Sequence, residues 1–332
     1  MDDVEHMRRA LAQAATVRST TAPNPWVGSV VVPPGSGPDG GTVFAGATAP
    51  PGGPHAEVAA LAAAGEAARG ATLYVTLEPC AHHGRTPPCS DAIIAAGVAR
   101  VVVGIEDPDE RVAGRGIAAL RAAGLEVTVG VAAEEVAEQL APYCKHRTTG
   151  QPWVVLKMAA SLDGRTAAPD GTSRWITGEE ARRDVHRLRA RSDAVLVGAG
   201  TVRADDPALT VRLDDGIERE QPLRVVLGRA PAGARVRPAL ELSGDLGDVL
   251  TELGRRGVLQ VLVEGGATVA HDFHAAGLVD RYVLYLAPVL FGGDDGRPIF
   301  AGPGAGTIGE VWKGRIVSIE QLGEDLRVEV AA

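Results

Sequence analysis

Cysteine and long apolar runs are both scarce in this chain. Its 332 residues include three cysteines, Cys80, Cys89 and Cys144. An odd, small number is a poor disulfide framework and is typical of a reducing compartment. No run approaches the roughly 20 apolar residues that span a bilayer, and the acidic N-terminus lacks the apolar core of a signal peptide. We therefore expect a soluble, cytoplasmic protein without a membrane partner.

Positive charge is also in deficit. Lysine and arginine number 33 against 42 aspartate and glutamate residues, which gives a formal net charge of −9. Proteins that bind nucleic acid need a basic surface, so we expect a small-molecule ligand and no nucleic-acid partner. Aromatic residues make up only 4% of the chain, which leaves alanine, valine and leucine to build the cores.

The length of the chain favours two domains. In the first, β-branched strands alternate with alanine-rich helices, which predicts an α/β layered fold with a mostly parallel sheet. The predicted strands are 27–32, 42–45, 72–77, 101–105 and 126–131, and the predicted helices are 2–18, 55–68, 90–96, 114–124 and 133–143. The stretch 146–152 is predicted to be a linker between domains at 1–147 and 152–332.

The second half restarts with an apolar strand. Its predicted strands are 153–158, 194–197, 224–227, 260–264 and 281–286, its predicted helices are 178–191 and 268–276, and 316–322 and 326–330 are predicted to form a hairpin. Apart from the short predicted strand 42–45, the Gly- and Pro-rich stretches 33–54 and 228–247 are predicted to be loops.

One group of residues in the first third has the composition of a metal site. His55, Cys80 and Cys89 offer an imidazole and two thiols, and Glu57 lies two residues beyond the imidazole. Three protein ligands leave a fourth zinc position open for water, which is the catalytic pattern. The H-x-E … P-C order with a non-ligand glutamate is typical of zinc deaminases. Bound zinc lowers the pKa of its water to about 7, and Glu57 would carry the proton from this water to the leaving ammonia.

Other interpretations of these residues stay open. Free cysteines are often buried as small apolar residues, and a histidine followed closely by a glutamate is common on surfaces. A closed structural zinc site would need a fourth ligand, which His82 or His83 could supply. Cys144 lies near the predicted linker, and we expect it to take no part.

Longer motifs surround the predicted ligands. They are Thr21-Ala-Pro-Asn-Pro-Trp-Val-Gly28, Pro54-His-Ala-Glu-Val58 and Thr76-Leu-Glu-Pro-Cys-Ala-His-His-Gly-Arg-Thr-Pro-Pro-Cys89. Together they resemble the bifunctional deaminase-reductase family of riboflavin biosynthesis, which differs from C-x-x-C zinc deaminases in the eight residues between its two cysteines. The resemblance implies a cytidine-deaminase-like three-layer α/β/α domain that acts on 2,5-diamino-6-(5-phosphoribosylamino)pyrimidin-4-one.

The same resemblance implies roles for two further residues. Asn24 is expected to hydrogen-bond the pyrimidine, since an amide can read a pyrimidine edge; a turn residue between two prolines is the alternative. Arg85 is expected near the ribose phosphate. The family usually has a substrate-holding histidine shortly before its H-A-E motif; in this chain Thr48 is the candidate for that place.

Glycine-rich segments follow two apolar strands of the second half. They are Gly198-Ala-Gly-Thr201 and Glu264-Gly-Gly-Ala-Thr268. Glycines between a strand and a helix let backbone N–H groups approach a phosphate. Neither is G-x-G-x-x-G, so a standard Rossmann site is not supported and ordinary turns are the alternative. The predicted helix 178–191 could add a phosphate contact, because arginine binds phosphate bidentately. Its arginines are Arg182, Arg183, Arg187, Arg189 and Arg191.

The motifs 157–165, 173–177, 200–207 and 263–266 resemble the reductase half of the same family. This resemblance implies a dihydrofolate-reductase-like α/β domain that uses NADPH. The residues implied to contact the cofactor are Ala159, Trp175, Thr201, Asp205, Gly266, Ala267 and Thr268. The residues implied to face the ribosylamino substrate are Ser173, Arg189, Leu209, Arg212 and Glu264. Lys157 and Asp163 are candidates for polar contacts with the reacting sugar.

The second half also departs from the family. The strand 223–227 ends in Gly228-Arg229 where the family has an Asp-Ser pair, and the short segment up to Val258 is expected to lack a further strand and helix. We expect reductase activity with altered cofactor affinity.

The main prediction is a homo-oligomeric, dimeric or tetrameric enzyme that deaminates a riboflavin precursor and then reduces its ribosyl group. A deaminase with a degenerate second half that serves only oligomerisation is the alternative. A structural zinc domain that binds a regulatory nucleotide is the third.

Overall fold

The computed structural model describes residues 2–36, 42–82, 87–213 and 220–332. Within it the chain forms two compact units, Met1–Gly150 and Gln151–Ala332, which we call the N-terminal and the C-terminal unit. Among the described residues, no helix has both the length and the apolar character needed to cross a membrane.

The N-terminal unit is built on one mixed sheet. Its elements in chain order are α1 (Asp3–Thr16), β1 (Gly28–Val32), β2 (Phe44–Ala47), α2 (Ala56–Ala64), a 3₁₀ turn (Gly65–Ala68), β3 (Thr72–Leu77), α3 (Cys89–Ala96), β4 (Arg100–Ile105), α4 (Arg115–Ala122), β5 (Glu126–Val129) and α5 (Ala133–Thr149). The strand order is β2-β1-β3-β4-β5. β1 is antiparallel to β2 and β3, whereas β3, β4 and β5 are parallel. The prediction of a mostly parallel sheet is therefore wrong for half of these pairings.

Glycines show which helix covers which face of this sheet. A Cβ on Gly28 would collide with the Ala10 carbonyl of α1, and a Cβ on Gly104 would lie 2.8 Å from Val136 of α5. A Cβ on Gly46 would collide with the backbone of α2. Gly46 pairs with Ser29, the neighbour of Gly28, and successive strand residues point to opposite faces. Helices therefore cover both faces, which gives three layers.

The C-terminal unit has a larger sheet. Its elements in chain order are β6 (Trp153–Ser161), β7 (Arg165–Ala167), α6 (Glu179–Ala190), β8 (Ala194–Gly198), α7 (Ala199–Asp205), β9 (Leu223–Leu227), β10 (Leu240–Leu242), α8 (Leu246–Arg255), β11 (Gln260–Val263), α9 (Ala267–Ala275), β12 (Arg281–Ala287), β13 (Arg297–Pro298), a 3₁₀ turn (Ile308–Glu310), β14 (Arg315–Leu322) and β15 (Asp325–Ala331). The strand order is β10-β9-β8-β11-β6-β12-β15-β14, and pairing is parallel from β10 to β12.

Both faces of this sheet are buried. One face packs against α8 and α9 through Leu250, Leu253 and Phe273, and the other packs against α6 through Val185 and Leu188. Strands that are buried on both faces have continuous apolar sequences. This is why these strands could be predicted from the sequence.

Two loop predictions are wrong. α5 continues to Thr149, so most of the predicted linker 146–152 is helix; the helix ends where Gly150 adopts a left-handed φ of 73°. The stretch 228–247 contains β10 and the start of α8. The expectation that a strand and a helix are missing before Val258 is therefore wrong as well. Asp245 caps α8 by accepting the N–H groups of Gly247 and Asp248, so a start signal was present in the sequence.

Candidate metal centre and a second polar cluster

The three predicted metal ligands converge where two helices begin. His55 directly precedes α2, Cys89 is the first residue of α3, and Cys80 follows the end of β3. His55 Nδ1 lies 3.1 Å from Cys89 Sγ and 3.6 Å from Cys80 Sγ. The three donor atoms all lie within 4.8 Å of one another. An imidazole and two thiols at this spacing fit a zinc ion with one further position available.

The local contacts favour a thiolate at this centre. The backbone N–H of Cys89 donates to Cys80 Sγ at 3.4 Å. A hydrogen bond with the Cys89 thiol, together with His55, lowers the pKa of Cys80 to about 4. The thiolate is the form of cysteine that binds metals, so Cys80 is prepared for this role.

Glu57 lies in the first turn of α2 and is 3% exposed. Burial raises the pKa of its carboxyl group to about 7. A group with a pKa near neutrality can both accept and release a proton at physiological pH. Glu57 is outside the group of metal donors, so its carboxylate is free of the ligand role.

A cavity of about 430 Å³ opens onto the metal ligands. Its lining includes His55, Cys80 and Glu57. The other lining residues named in the sequence-based predictions are Asn24, Thr48 and His82. Asn24 therefore lines the same cavity as the metal ligands, and its hydrogen bond to the pyrimidine stays a prediction. Arg85 and His83 lie outside the described residues.

Thr48 is buried, and its hydroxyl is engaged by the backbone of Val27. It accepts the Val27 N–H at 3.1 Å, and the Thr48 N–H donates to the Val27 carbonyl at 3.0 Å. These contacts attach the end of β2 to the segment that follows Asn24. Thr48 thus supports the cavity wall and also lines the cavity, and its contact with substrate stays a prediction.

The opposite wall of the cavity contains polar residues that sequence reasoning missed. Tyr143 of α5 donates its hydroxyl hydrogen to the Asp107 carboxylate, 3.1 Å from both oxygens. Burial raises the pKa of Asp107. Asp109 forms an ion pair with Arg111 and lies 3.8 Å from Arg147. The family resemblance also extends to Asp107-Pro108, and this dipeptide was the available signal.

Cys144 of α5 lies apart from the metal donors. Burial raises the pKa of its thiol to about 11, which keeps it protonated. This placement agrees with the expectation that Cys144 is not a ligand.

The C-terminal unit contains a buried charged cluster. Arg189 of α6 donates to both carboxylate oxygens of Glu264, at 2.6 and 2.9 Å, and to the Thr210 carbonyl at 3.1 Å. Lys157 of β6 is close enough to Glu264 and Arg189 to interact electrostatically, although burial lowers its pKa. Burial by itself would raise the pKa of Glu264, but Arg189 and Lys157 lower it. Three residues predicted to face the reductase substrate are therefore neighbours.

Two more of the predicted substrate residues lie beside this cluster. Leu209 is buried and has a positive φ of 53°, which places it in the turn before Thr210. The Arg212 N–H approaches His186 Nδ1 at 3.2 Å. Both therefore belong to the segment that Arg189 holds through Thr210.

The two glycine-rich segments lie side by side. β8 and β11 are parallel neighbours, and the Gly266 N–H donates to the Thr201 hydroxyl at 3.1 Å. Thr201 lies in α7, while Ala267 and Thr268 begin α9. The carboxyl ends of two neighbouring strands and the N-terminus of a helix meet here. This arrangement suits the phosphate groups of a dinucleotide.

Of the remaining predicted reductase residues, Trp175 and Asp205 are exposed, whereas Ser173 and Ala159 are partly buried. Trp175 is 70% exposed and has the Arg182 guanidinium 4.6 Å from its ring centroid. Arg174, between Ser173 and Trp175, donates to the Asp205 carbonyl at 3.1 Å. The Ser173–Trp175 segment is therefore next to the end of α7, while Ala159 lies on β6.

Asp163 already has internal partners. It accepts a hydrogen bond from Ser161 Oγ at 2.5 Å and another from the Gly292 N–H at 2.8 Å. The contact with Ser161 lowers the pKa of Asp163 to about 2. Asp163 therefore joins the loop after β6 to the loop after β12.

Most arginines of α6 are engaged within the protein. Arg183 pairs with Glu179, Arg187 lies 3.6 Å from Asp184, and Arg182 donates to the Thr177 carbonyl. With Arg189 bound to Glu264, four of the five arginines considered for phosphate contact have protein partners. The concentration of arginine on this helix mainly reflects its internal ion pairs.

Family models match both halves of the chain. Residues 1–105 match the cytidine and deoxycytidylate deaminase zinc-binding region, and residues 152–328 match the RibD C-terminal domain.

Full-length relatives agree with these matches. The riboflavin biosynthesis protein RibD of Mycobacterium tuberculosis is 45% identical, with 99% of this chain and 97% of the relative covered. RibD of Escherichia coli is 41% identical, with 98% of each covered.

Two solved structures are similar over nearly the whole chain. RibD of Acinetobacter baumannii has a TM-score of 0.91 at 38% identity, with 99% of this chain and 98% of the other covered. A Thermotoga maritima diaminohydroxyphosphoribosylaminopyrimidine deaminase/5-amino-6-(5-phosphoribosylamino)uracil reductase has a TM-score of 0.88 at 36% identity, with the same shares covered.

Removing one thiol tests the metal centre. We expect the purified wild-type protein to contain one zinc ion per N-terminal unit, since one donor group is found among the described residues. Cys89→Ser should weaken zinc binding by more than the roughly 10- to 100-fold typical of losing an outer-shell partner, as measured by metal analysis after dialysis. Cys144→Ser is the matched control and should keep its zinc. Equal zinc content in both variants would contradict the ligand assignment.

Proposed function

The chain belongs to the RibD family and is a bifunctional deaminase and reductase of riboflavin biosynthesis, and we propose how its residues divide the two reactions. The N-terminal unit removes the exocyclic amine from 2,5-diamino-6-(5-phosphoribosylamino)pyrimidin-4-one. The C-terminal unit then reduces the ribosyl group of the product to ribityl with NADPH. The Thermotoga maritima relative, whose name states both activities, supports this assignment.

The observation that carries the deaminase assignment is the convergence of three metal donors and a buried carboxylate on one cavity. Zinc held by His55, Cys80 and Cys89 would supply an activated water at neutral pH. Glu57 accepts a proton from the attacking water and delivers it to the departing ammonia, which its pKa of about 7 allows. Asn24 lines the cavity and hydrogen-bonds the pyrimidine edge. Arg85 is assigned to the ribose phosphate by the family resemblance.

The charged cluster supports the placement of the reductase substrate. Arg189 and Glu264 form a nearly buried ion pair, with side chains 13% and 8% exposed, and Lys157 lies beside it. NADPH supplies the hydride, and the protein supplies placement and charge. Lys157 orients the open sugar, while Arg189 and Glu264 keep the site polar. Ser173, Leu209, Arg212 and Asp163 are assigned to the rest of the substrate pocket.

The paired glycine-rich segments support the placement of the cofactor. Thr201, Gly266, Ala267 and Thr268 present a hydroxyl and backbone N–H groups at the ends of β8 and β11. Trp175, Asp205 and Ala159 complete the proposed cofactor contacts. β10 and α8 are present after Gly228-Arg229, so the edge of the sheet beside this site is complete. The comparisons contain nothing that favours a deaminase with a degenerate second half.

Glu57→Gln separates the two reactions. The amide cannot carry the proton, so ammonia release should fall about 10²–10⁴-fold, while zinc content stays at the wild-type level. NADPH oxidation with the deaminated intermediate supplied directly should be unchanged, which makes the C-terminal unit an internal control. Normal ammonia release by this variant would show that Glu57 is not the proton carrier.

Lys157→Met tests the reductase assignment in the same manner. Loss of the ammonium group should slow NADPH oxidation by about 100-fold, while ammonia release stays normal. Titration of NADPH against the protein should give the same affinity for wild type and variant, because Lys157 is assigned to the substrate. Lys313→Met, at an exposed position, is the control. Absence of NADPH binding by the wild-type protein would contradict the reductase activity itself.

We also propose that the chain is cytoplasmic and forms a homo-oligomer. β14 lies at an edge of the C-terminal sheet among the described strands, and its Ile316 and Ile319 are 58% and 61% exposed. An exposed apolar edge strand can pair with another chain. Sedimentation velocity should give a mass that is a multiple of 34.2 kDa, whereas a monomer would contradict this proposal.

A further inference from the structure

Glu78 makes an unusual set of contacts beside the metal centre. It lies between the last residue of β3 and Cys80, and it is 4% exposed. Its Oε2 accepts the N–H groups of Asp107 at 3.2 Å and Gly114 at 2.9 Å. Its Oε1 accepts the N–H groups of Gly116 at 2.9 Å and Ile117 at 3.1 Å. One carboxylate thus binds four backbone donors of a single segment.

Backbone N–H groups compensate the buried charge of Glu78. Among the described residues, no side-chain cation pairs with it. Gly116 and Ile117 are in the first turn of α4, which has no side-chain cap of its own. A carboxylate at a helix N-terminus is stabilised by unpaired N–H groups and by the helix dipole. Hydrogen bonds to an ionised acceptor are about twice as strong as neutral ones. The segment 107–117 is therefore held firmly to the strand end that leads to Cys80.

The segment held by Glu78 is one wall of the cavity. Asp107, Asp109, Arg111 and Val112 all line the cavity that contains His55, Cys80 and Glu57. Close backbone packing reinforces the attachment, because a Cβ on Gly116 would collide with the Pro79 carbonyl. Tyr143 holds the same wall from the other side through the Asp107 carboxylate. Glu78 is the connection between this wall and the metal-binding loop.

We propose that Glu78 is a positioning residue that sets the distance between the metal ligands and the polar wall at 107–112. The inference rests on the proposed deaminase function of the N-terminal unit. Glu78 also lines the cavity, but both of its carboxylate oxygens are bound to backbone N–H groups, so it acts through the wall that it holds. Its four hydrogen bonds keep the wall where it can bind the substrate portion that extends away from the metal.

Glu78→Gln tests this role with little change of volume. The new NH₂ group replaces one acceptor, so two of the four backbone N–H groups lose their partner. Unsatisfied buried donors are costly, and the wall should shift away from the metal-binding loop. A weaker contact made equally in the ground state and the transition state raises KM and leaves kcat unchanged. We expect KM for ammonia release to rise about tenfold or more, with kcat within about threefold of wild type and zinc content unchanged.

Ser29→Ala is the matched control for a loss of stability. It removes a buried hydrogen bond in the same sheet, from Ser29 Oγ to the Tyr74 carbonyl at 2.9 Å, away from the cavity lining. It should lower the melting temperature without changing KM. Tyr143→Phe is a second, milder variant, because it releases Asp107 from the opposite side and should also raise KM. If Glu78→Gln does not fold, the KM of Tyr143→Phe for ammonia release tests whether the position of the wall matters.

The outcomes distinguish this inference from the proposed function. Absence of ammonia release by the zinc-loaded wild-type protein would contradict the deaminase function itself. Normal wild-type turnover with an unchanged KM in both Glu78→Gln and Tyr143→Phe would overturn the positioning role. Loss of zinc from Glu78→Gln would overturn it too, because Glu78 would then support the ligands instead of the wall.

Discussion

The end of β3 is the point on which the N-terminal unit depends. The strand leads within three residues through Glu78 to Cys80, and two helices begin next to it with His55 and Cys89. Helix N-termini favour thiolates and carboxylates because their N–H groups are unpaired and the helix dipole is positive there. The same physical property therefore serves the Cys80 thiolate, which accepts the Cys89 N–H at the start of α3, and the Glu78 carboxylate at the start of α4. Burial around this point then raises the pKa of Glu57 to a useful range.

The two units handle buried charge in different ways. In the N-terminal unit, Glu78 is satisfied by backbone N–H groups, while burial outweighs the influence of His55 on Glu57 and raises its pKa to about 7, which suits the proposed proton transfer. In the C-terminal unit, Glu264 is paired with Arg189. A buried carboxylate beside a guanidinium stays charged, so this cluster offers fixed charge instead of proton transfer. The difference suits a hydrolytic step in one unit and a cofactor-driven reduction in the other.

Some helices and strands could be predicted from the sequence and others could not, for physical reasons. Buried strands such as β3 and β8 were located because a continuous apolar run is a local property. α5 was ended too early because residues 146–149 look like a polar linker, although Gly150 is the residue that stops the helix. β10 was missed because three residues in a proline-rich stretch carry little periodicity, and its strand character comes from pairing with β9. Glu78 was visible in the motif, but its partners lie about thirty to forty residues away.

The sequence by itself determined the donor set His55, Cys80 and Cys89 and the family with its two activities, and it made Glu57 the candidate proton carrier. These follow from residue types at short spacings, which local chemistry constrains. Only the tertiary structure decided that the Thr48 hydroxyl bonds the Val27 backbone, that Arg189 pairs with Glu264, and that Glu78 binds the backbone of segment 107–117. Such contacts join residues far apart in the chain, and their partners depend on how strands and helices pack, which no local pattern records.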